Sequence, residues 1–372
     1  MIIDSGITIG SNITIGDLPT TPYYSSALYT FTTFTFRTGN ITGPTGANAT
    51  QLFANSYSNV GNTWLTSSSY FNVINGYQYW TVPQDGNYQI TAAGARSGIG
   101  TWTANATTTS VSPTMYGRGA TVSGTFALTQ GQIIAIAVGQ PSANATNTSY
   151  TAVGGGGGSF VVLGNTFPLV VAGGGGGNGG YNTTYYFAGN GNTATTGGSS
   201  TNGGAPGGIN GLGGNSHINA AGTTGVNLYD SGAGGGFSGN GASGASNATR
   251  PGASNTNSGT GGWSFSANLV GGLPASNFTT TSATAGGFGG GGGGGAITGG
   301  GGGGYSGGGG AYNASNPFAD SGGGGGSWVA ANATAIATNT GTFNGSGTFN
   351  SLTVTTIGTL NTGHGYVTIT KV

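Results

Sequence analysis

The stretch GGFGGGGGGGAITGGGGGGYSGGGG, residues 286–310, holds nineteen glycines in twenty-five positions, and it limits what the chain can fold into more than any other feature. Glycine gives up more backbone freedom on ordering than any other residue, at roughly 1–2 kcal/mol per residue. Ordering this stretch alone therefore costs on the order of tens of kcal/mol. In isolation it reads as a flexible linker or low-complexity segment. Comparable runs lie at 154–158, 173–177, 289–295, 299–304, 307–310 and 322–326, so an ordered fold must supply backbone hydrogen bonds to all of them together.

The rest of the chain argues for order. Aromatic residues make up 10% and hydrophobic residues 35%, against five basic and five acidic residues in 372, so the charge that solvates a disordered chain is missing. No Gly-X-Y period runs through the glycines, which excludes a collagen triple helix. The runs are separated instead by single large residues such as Phe288, Tyr305 and Trp328. With net charge zero and no basic cluster there is no electrostatic footprint for nucleic acid or an anionic membrane. Cysteine is absent, so disulfides and thiolate metal sites contribute nothing. The Asn-X-Ser/Thr sequons, such as those at Asn40, Asn48 and Asn144, are as frequent as this Asn-, Ser- and Thr-rich composition produces by chance.

Period-two patterning dominates outside the glycine runs. LYTFTTFTF, from Leu28, alternates aromatic residues and threonine. In YQYWTVPQDGNYQITAAGA, Pro83 ends one strand, Asp85-Gly86 supplies a tight turn, and Tyr88, Ile90 and Ala92 share one face of the next, which predicts a hairpin. In GATVSGTFALTQGQIIAIAVGQ, Val122, Phe126 and Leu128 alternate, Gln130-Gly131 turns, and Ile134, Ile136 and Val138 continue the pattern. SFVVL and FPLVVAG read as buried strands, and SLTVTTI and GYVTITKV return to alternation near the end of the sequence. No segment shows capped helical periodicity. Strands on both sides of the glycine runs predict a mainly β chain, a β-sandwich that encloses the glycine-rich part in sequence.

Backbone without side chains can adopt the polyproline II conformation, which has no internal hydrogen bonds but can bond outward to neighbours of its kind. The expectation is a bundle of polyproline-II-type glycine helices, with Phe288, Tyr305 and Trp328 anchoring its flank or its junction with the sandwich. Residues 1–30 carry the repeated unit I-T-I-G and are expected to form an attachment segment that adds a strand to a neighbouring subunit, or else a strand of the same domain. Residues 31–372 form one domain, with strands mainly in 31–172 and 328–372, and glycine helices and loops mainly in 173–327.

Two families come into view through particular residues. The blocks WTVPQDGNYQITAAGA, GTFALTQGQIIAIAVGQ, GGGGGSFVV and PLVVAGGGGG, with the later glycine runs and GHGYVTI, resemble the glycine-rich extracellular domain of the anaplastic lymphoma kinase and leukocyte tyrosine kinase receptors over about residues 31–372. That resemblance implies a TNF-like β-sandwich fused to a glycine-helix bundle. The receptors' cysteines, membrane span and kinase have no counterpart here, and none of their ligand-binding residues carries over. In composition and architecture the chain is also similar to the tip adhesins of T-even-like phage long tail fibres. There, loops between glycine helices contact the host. The corresponding stretches are 178–202, 215–230 and 243–276, with Tyr181, Tyr185, Tyr186, Phe187, Tyr229, Trp263 and Phe265 as candidate receptor contacts.

Catalytic chemistry is poorly supplied. There is no Glu, the five Asp are scattered, and His217 and His364 alone cannot form a metal site. His364 reads as a structural residue beside a turn, and Arg96 and Arg118 as partners of backbone carbonyls. Gly-x-Gly-x-x-Gly matches arise trivially within glycine runs, and the sole lysine, Lys371, excludes a Walker loop. No enzyme activity, cofactor or metal is expected. The amino terminus MIIDSGITIGSNITIGDLP has neither a basic nor a long apolar region, so no secretory signal is expected, and no apolar run reaches the ~18 residues of a membrane span. The sequence therefore points to a virion surface protein, structural and adhesive, at a fibre tip or on a capsid, with a host glycan or protein as partner and homo-oligomerisation open. A cellular or secreted glycine-rich binding module and an ice-binding protein are the alternatives.

Overall fold

The computed structural model describes residues 26–58, 60–104, 108–110, 116–147, 150–181, 184–185, 188–201, 204–216, 230–244, 258–276, 282–312, 320–332, 335–337 and 360–372. The expected attachment segment, apart from its last few residues, and the strand SLTVTTI lie outside them.

Two antiparallel sheets supply the side-chain core. The first runs in the order Thr33–Phe36, Tyr366–Lys371, Gly86–Ala93, Thr121–Leu128, Ala335–Ala337. The second runs Trp328–Val329, Phe167–Ala172, Ser159–Leu163, Ile133–Ala137, Tyr77–Thr81, Phe71–Ile74. In the five-stranded sheet buried and more exposed side chains alternate, although Ala92 and Ala93 are both buried. Phe34, Phe36, Tyr88, Ile90, Ala92, Val122, Phe126, Val367 and Ile369 are buried in one core, while Thr33, Thr35, Thr91, Thr368 and Thr370 lie on the other face. The same core takes Trp80, Ile134, Ile136, Val161 and Val170 from the six-stranded sheet. That sheet is covered on its other face too, where Tyr77, Ala135, Ala137, Phe160, Val162 and Val171 form a second cluster with Phe265, Leu269 and Phe288. Burial on both faces explains why SFVVL and FPLVVAG are continuous apolar runs.

The expected hairpin across Asp85-Gly86 does not form. Tyr77–Thr81 pairs with strands of the six-stranded sheet and Gly86–Ala93 with strands of the five-stranded sheet, so Pro83 and Asp85 sit on an arch between sheets. The arch brings the Trp80 ring edge-on to Tyr88, 5.8 Å away, and the Tyr88 hydroxyl donates to the Gln84 carbonyl at 2.8 Å. The chain likewise changes sheets between Thr121–Leu128 and Ile133–Ala137, through a turn at which Gly131 takes φ 82°. SFVVL and FPLVVAG do pair as a hairpin, through Gly164 and Asn165 at φ 58° and 63°.

The expected TNF-like β-sandwich with an inserted bundle of polyproline-II-type glycine helices is overturned. Among the described residues the sheets are open, with outer strands at Thr33–Phe36 and Phe71–Ile74, and they do not close on one another. The glycine runs carry no helix. Helix among the described residues is one short stretch, α-helical Ala49–Leu52 continuing as π-helical Phe53–Tyr57, and two 3₁₀ turns at Thr63–Thr66 and Phe265–Ala267. The α turn has a cap that the sequence reading missed: Asn48 Oδ1 accepts from the Gln51 amide and Gln51 Oε1 from the Asn48 amide, at 2.9 and 3.0 Å.

The glycine runs form a lattice of segments bonded to each other and not along themselves. The run 299–304 shows its rule. Gly299 and Gly302 donate to Asp320 and Gly323, Gly300 and Gly303 to Val153 and Gly156, and Gly301 and Gly304 to Gly232 and Gly235. Each direction recurs every third residue and finds a different segment. Nor are the runs uninterrupted rods, because 289–295 begins in a turn with Gly289 and Gly290 at φ 104° and 81°. Glycine is required because the backbones approach too closely for a Cβ. One added at Gly157 would lie 1.7 Å from the Phe288 carbonyl oxygen, and one at Gly307 1.8 Å from that of Gly234. The lattice also draws in backbone from 94–98, 117–120 and 139–140.

Candidate functional site

Buried hydroxyls finish the lattice where a run ends and a backbone partner is lacking. Ser159 Oγ donates to the Ala93 carbonyl at 2.7 Å and accepts from Gly139 N at 3.0 Å. Ser327 donates to Asn192 O and accepts from Gly173 N, Ser231 donates to Gly299 O, and Thr284 accepts from Gly154 N. An unmade bond in such a place costs about 1–3 kcal/mol. The signal was legible as Ser or Thr flanking the runs, as in GGGGGS at 159 and 327 and DSG at 231 and 321.

Between the lattice and the six-stranded sheet lies a row of stacked rings. Phe265 stacks on Phe237 at 5.2 Å, Phe237 on Tyr305 at 6.4 Å, and Tyr305 on Trp328 at 4.6 Å, all within about 20° of parallel. Trp328 Nε1 donates to the Pro168 carbonyl, and Tyr77 hydroxyl to that of Phe265 at 2.7 Å. Burial pushes the Tyr77 phenol well above its ordinary range, so it remains a donor. Phe288, Tyr305 and Trp328 thus pack at the junction of sheet and glycine backbone.

The candidate contacts fare differently from one another. Phe265 is buried in this junction against Tyr77, Phe160 and Phe237, so its ring packs the interior and reaches solvent only through a pocket that it lines. Trp263 is half-buried, with its backbone N–H bonded to Val270 O. Tyr181 and Tyr185 have strand backbone, but their side chains lie outside the described residues, as do Tyr186, Phe187 and Tyr229 entirely.

A concave surface lies elsewhere, along the outer edge of the six-stranded sheet. A pocket of about 430 Å³ is lined by Ser69, Tyr70, Asn72, Ile74, Tyr79 and Ile133 among others, and a neighbour of about 240 Å³ by Asn75, Tyr79, Ser266 and Asn268 among others. Ile74, Tyr79 and Asn165 line both, so the two form one groove. Its walls are three turns far apart in sequence. Each presents an exposed asparagine in the left-handed region: Asn75 at φ 52°, Asn165 at 63° and Asn268 at 74°. No hydrogen bond within the protein engages these three side-chain amides among the described residues. Ile74 and Ile133 are 50% and 53% exposed beside them. Of the candidate contacts, Phe265 borders this groove, and the candidate stretch 243–276 supplies Ser266 and Asn268. The groove's other parts were not anticipated, because they meet only through sheet order.

Two ionisable groups, Arg96 and His364, meet at another seam. The Arg96 guanidinium lies over the Tyr116 ring, 5.5 Å from its centroid, and Nη1 donates to the Ser97 carbonyl. Its pKa is lowered by burial. His364 Nδ1 hydrogen-bonds the Thr38 hydroxyl at 2.8 Å, and its pKa is held below the ordinary histidine value by burial and then by Arg96. Among the described residues no group of three His, Asp or Glu could hold a metal ion, and no helix is long and apolar enough to cross a membrane.

No protein-family model matches the chain, and no curated protein matches it, so the resemblances to the receptor domain and the phage adhesins stand on the residues quoted for them.

Proposed function

We propose that the chain is a non-catalytic surface protein of a virus particle, structural and adhesive, in which an inextensible glycine frame displays uncharged polar and aromatic surface. The observation that carries this reading is the lattice. Backbone that is buried and hydrogen-bonded in three directions has no cheap local opening, so the frame resists fraying and proteolysis without disulfides or metals. Such a frame suits weak contacts repeated over many copies on one particle, which raise effective concentration. Residues 1–30 would join it to other virion proteins.

Immunogold electron microscopy of particles, with an antibody to this chain, is the test. Label at fibre tips supports an adhesin and uniform label a coat protein. Label confined to cells or the soluble fraction refutes the viral reading in favour of a cellular binding module.

Ice binding has one observation in its favour. Thr35, Thr368, Thr91 and Ser123 lie in register across four strands, and Thr33, Thr370, Gln89 and Thr125 form the next rank. The hydroxyls of Thr33 and Thr370, and of Thr35 and Thr368, bond each other at 2.8 and 2.9 Å, which leaves fewer to order water. Absence of thermal hysteresis in the purified chain would dispose of it.

A further inference from the structure

We infer that the groove at the edge of the six-stranded sheet, built by Ile74, Asn75, Tyr79, Asn165, Ser266 and Asn268, is a binding site for a neutral oligosaccharide. This rests on the adhesive reading for its biological use, but its chemistry is argued from the groove alone.

Shape comes first. The larger pocket, about 430 Å³, falls within the roughly 300–1,000 Å³ of small-molecule sites, and its neighbour adjoins it through Ile74, Tyr79 and Asn165. Two adjoining pockets suit a ligand of more than one ring.

The lining then selects the ligand. Among the described residues no charged side chain borders either pocket, so an anionic or cationic group would enter without a counter-charge from them. What the groove offers is amides and hydroxyls, groups that both donate and accept, which is the pattern that complements sugar hydroxyls. Tyr79, half-exposed and common to both pockets, supplies an aromatic body for the C–H face of a pyranose, with Ile74 beside it.

The asparagines sharpen the case. A left-handed residue is ordinarily glycine, and this chain uses glycine freely, with Gly76 at φ 83° and Gly164 at 58° adjoining two of these very positions. Asn40 and Asn210 share the conformation elsewhere, so conformation alone marks no site. Convergence does: three such residues from positions 75, 165 and 268 border one pocket, exposed, with amides that none of the described residues engages.

The left-handed backbone also provides a clean experiment. Asn165→Gly and Asn268→Gly remove the amides while keeping φ comfortable, so folding should be preserved. The full chain would be screened against an array of neutral, sialylated and sulfated oligosaccharides, and the best neutral ligand measured by calorimetry. Binding to a neutral oligosaccharide is expected, weakened about tenfold or more by the double glycine variant and by Tyr79→Ala, with unfolding temperature changed little in the glycine variant. Failure to bind any neutral oligosaccharide, preference for charged ones, or indifference to all three substitutions would overturn the proposal. Adsorption of the same variants to cells separates the two readings. Wild-type adsorption that survives the substitutions leaves adhesion standing and removes the groove from it, whereas glycan binding without adsorption removes adhesion and keeps the groove.

Discussion

Residues 154–158 and 159–163 follow one another in the chain and all but Leu163 are buried, yet they are held in place by different means. In SFVVL the backbone bonds to one strand on each side, Ile133–Ala137 and Phe167–Ala172, and the side chains fill two cores. In GGGGG five successive N–H groups go to Thr284 Oγ1 and the carbonyls of Gly292, Gly175, Gln140 and Gly289. The strand is specified by what its side chains bury, whereas the glycine run is specified by the absence of any. A strand core can absorb a change of one methyl by shifting rotamers. A lattice of touching backbones has no rotamers to shift.

The largest expected effect breaks that lattice. Gly157→Ala puts a methyl group against the backbone oxygen of Phe288, which is not a movable side-chain end, and separates Gly157 N from Gln140 O and Gly157 O from Ala95 N. Overpacking plus stranded backbone groups should cost about 4 kcal/mol or more, as much as deleting a large core side chain. Urea unfolding measures it. Gly61→Ala, where a Cβ meets nothing within 4 Å, should stay within about 0.5 kcal/mol. Equal effects at the two glycines would show that the backbones do not pack as described.

A smaller pair of changes compares the two regions at their border. Ser159→Ala leaves Ala93 O and Gly139 N without their hydroxyl partner and should cost about 2–3 kcal/mol. Ile136→Val, in the neighbouring strand core, removes one methylene for about 1 kcal/mol. Each change removes a single heavy atom, so the difference in cost lies in the two hydrogen bonds lost with the oxygen, and the order should reverse if a water replaces the hydroxyl.

Much of the strand content was legible because side-chain alternation is local: Tyr88, Ile90 and Ala92 declare one buried face whatever they pair with. Partners were not legible. The turn-like Pro83–Gly86 links two sheets, since nothing in WTVPQDGNY records that Trp80 and Tyr88 face each other across a core and not along a ladder. The glycine runs announced that backbone must pack on backbone, but their bonds run to segments as distant as Gly156 and Gly303, and glycine carries no pattern that names its neighbour. The groove was hidden for the same reason. Asn75, Asn165 and Asn268 are ordinary turn residues one at a time, and Phe265 lies in a loop-like stretch, yet stacking draws its ring into the junction.

The smallest expected effect reads the seam where the two regions join. His364 bonds Thr38 through Nδ1, takes the Asn361 amide on its carbonyl at 2.6 Å, and lies beside Arg96, whose own N–H bonds Gly363 O. Its folded pKa is lowered, so the folded state disfavours the proton that the unfolded chain accepts at about pH 6.5. The stability that this group contributes is complete above about pH 6.5 and is lost as pH falls from there through the folded pKa. Substitution of His364 alone isolates this group's share of whatever change occurs between about pH 6.5 and 5. Tm should fall across that window in the wild type and less in His364→Asn, where an amide keeps a partner for Thr38 but takes up no proton. If the seam were held by glycine backbone alone, both proteins would show the same flat profile, and the side chains at the junction would be passengers on the lattice.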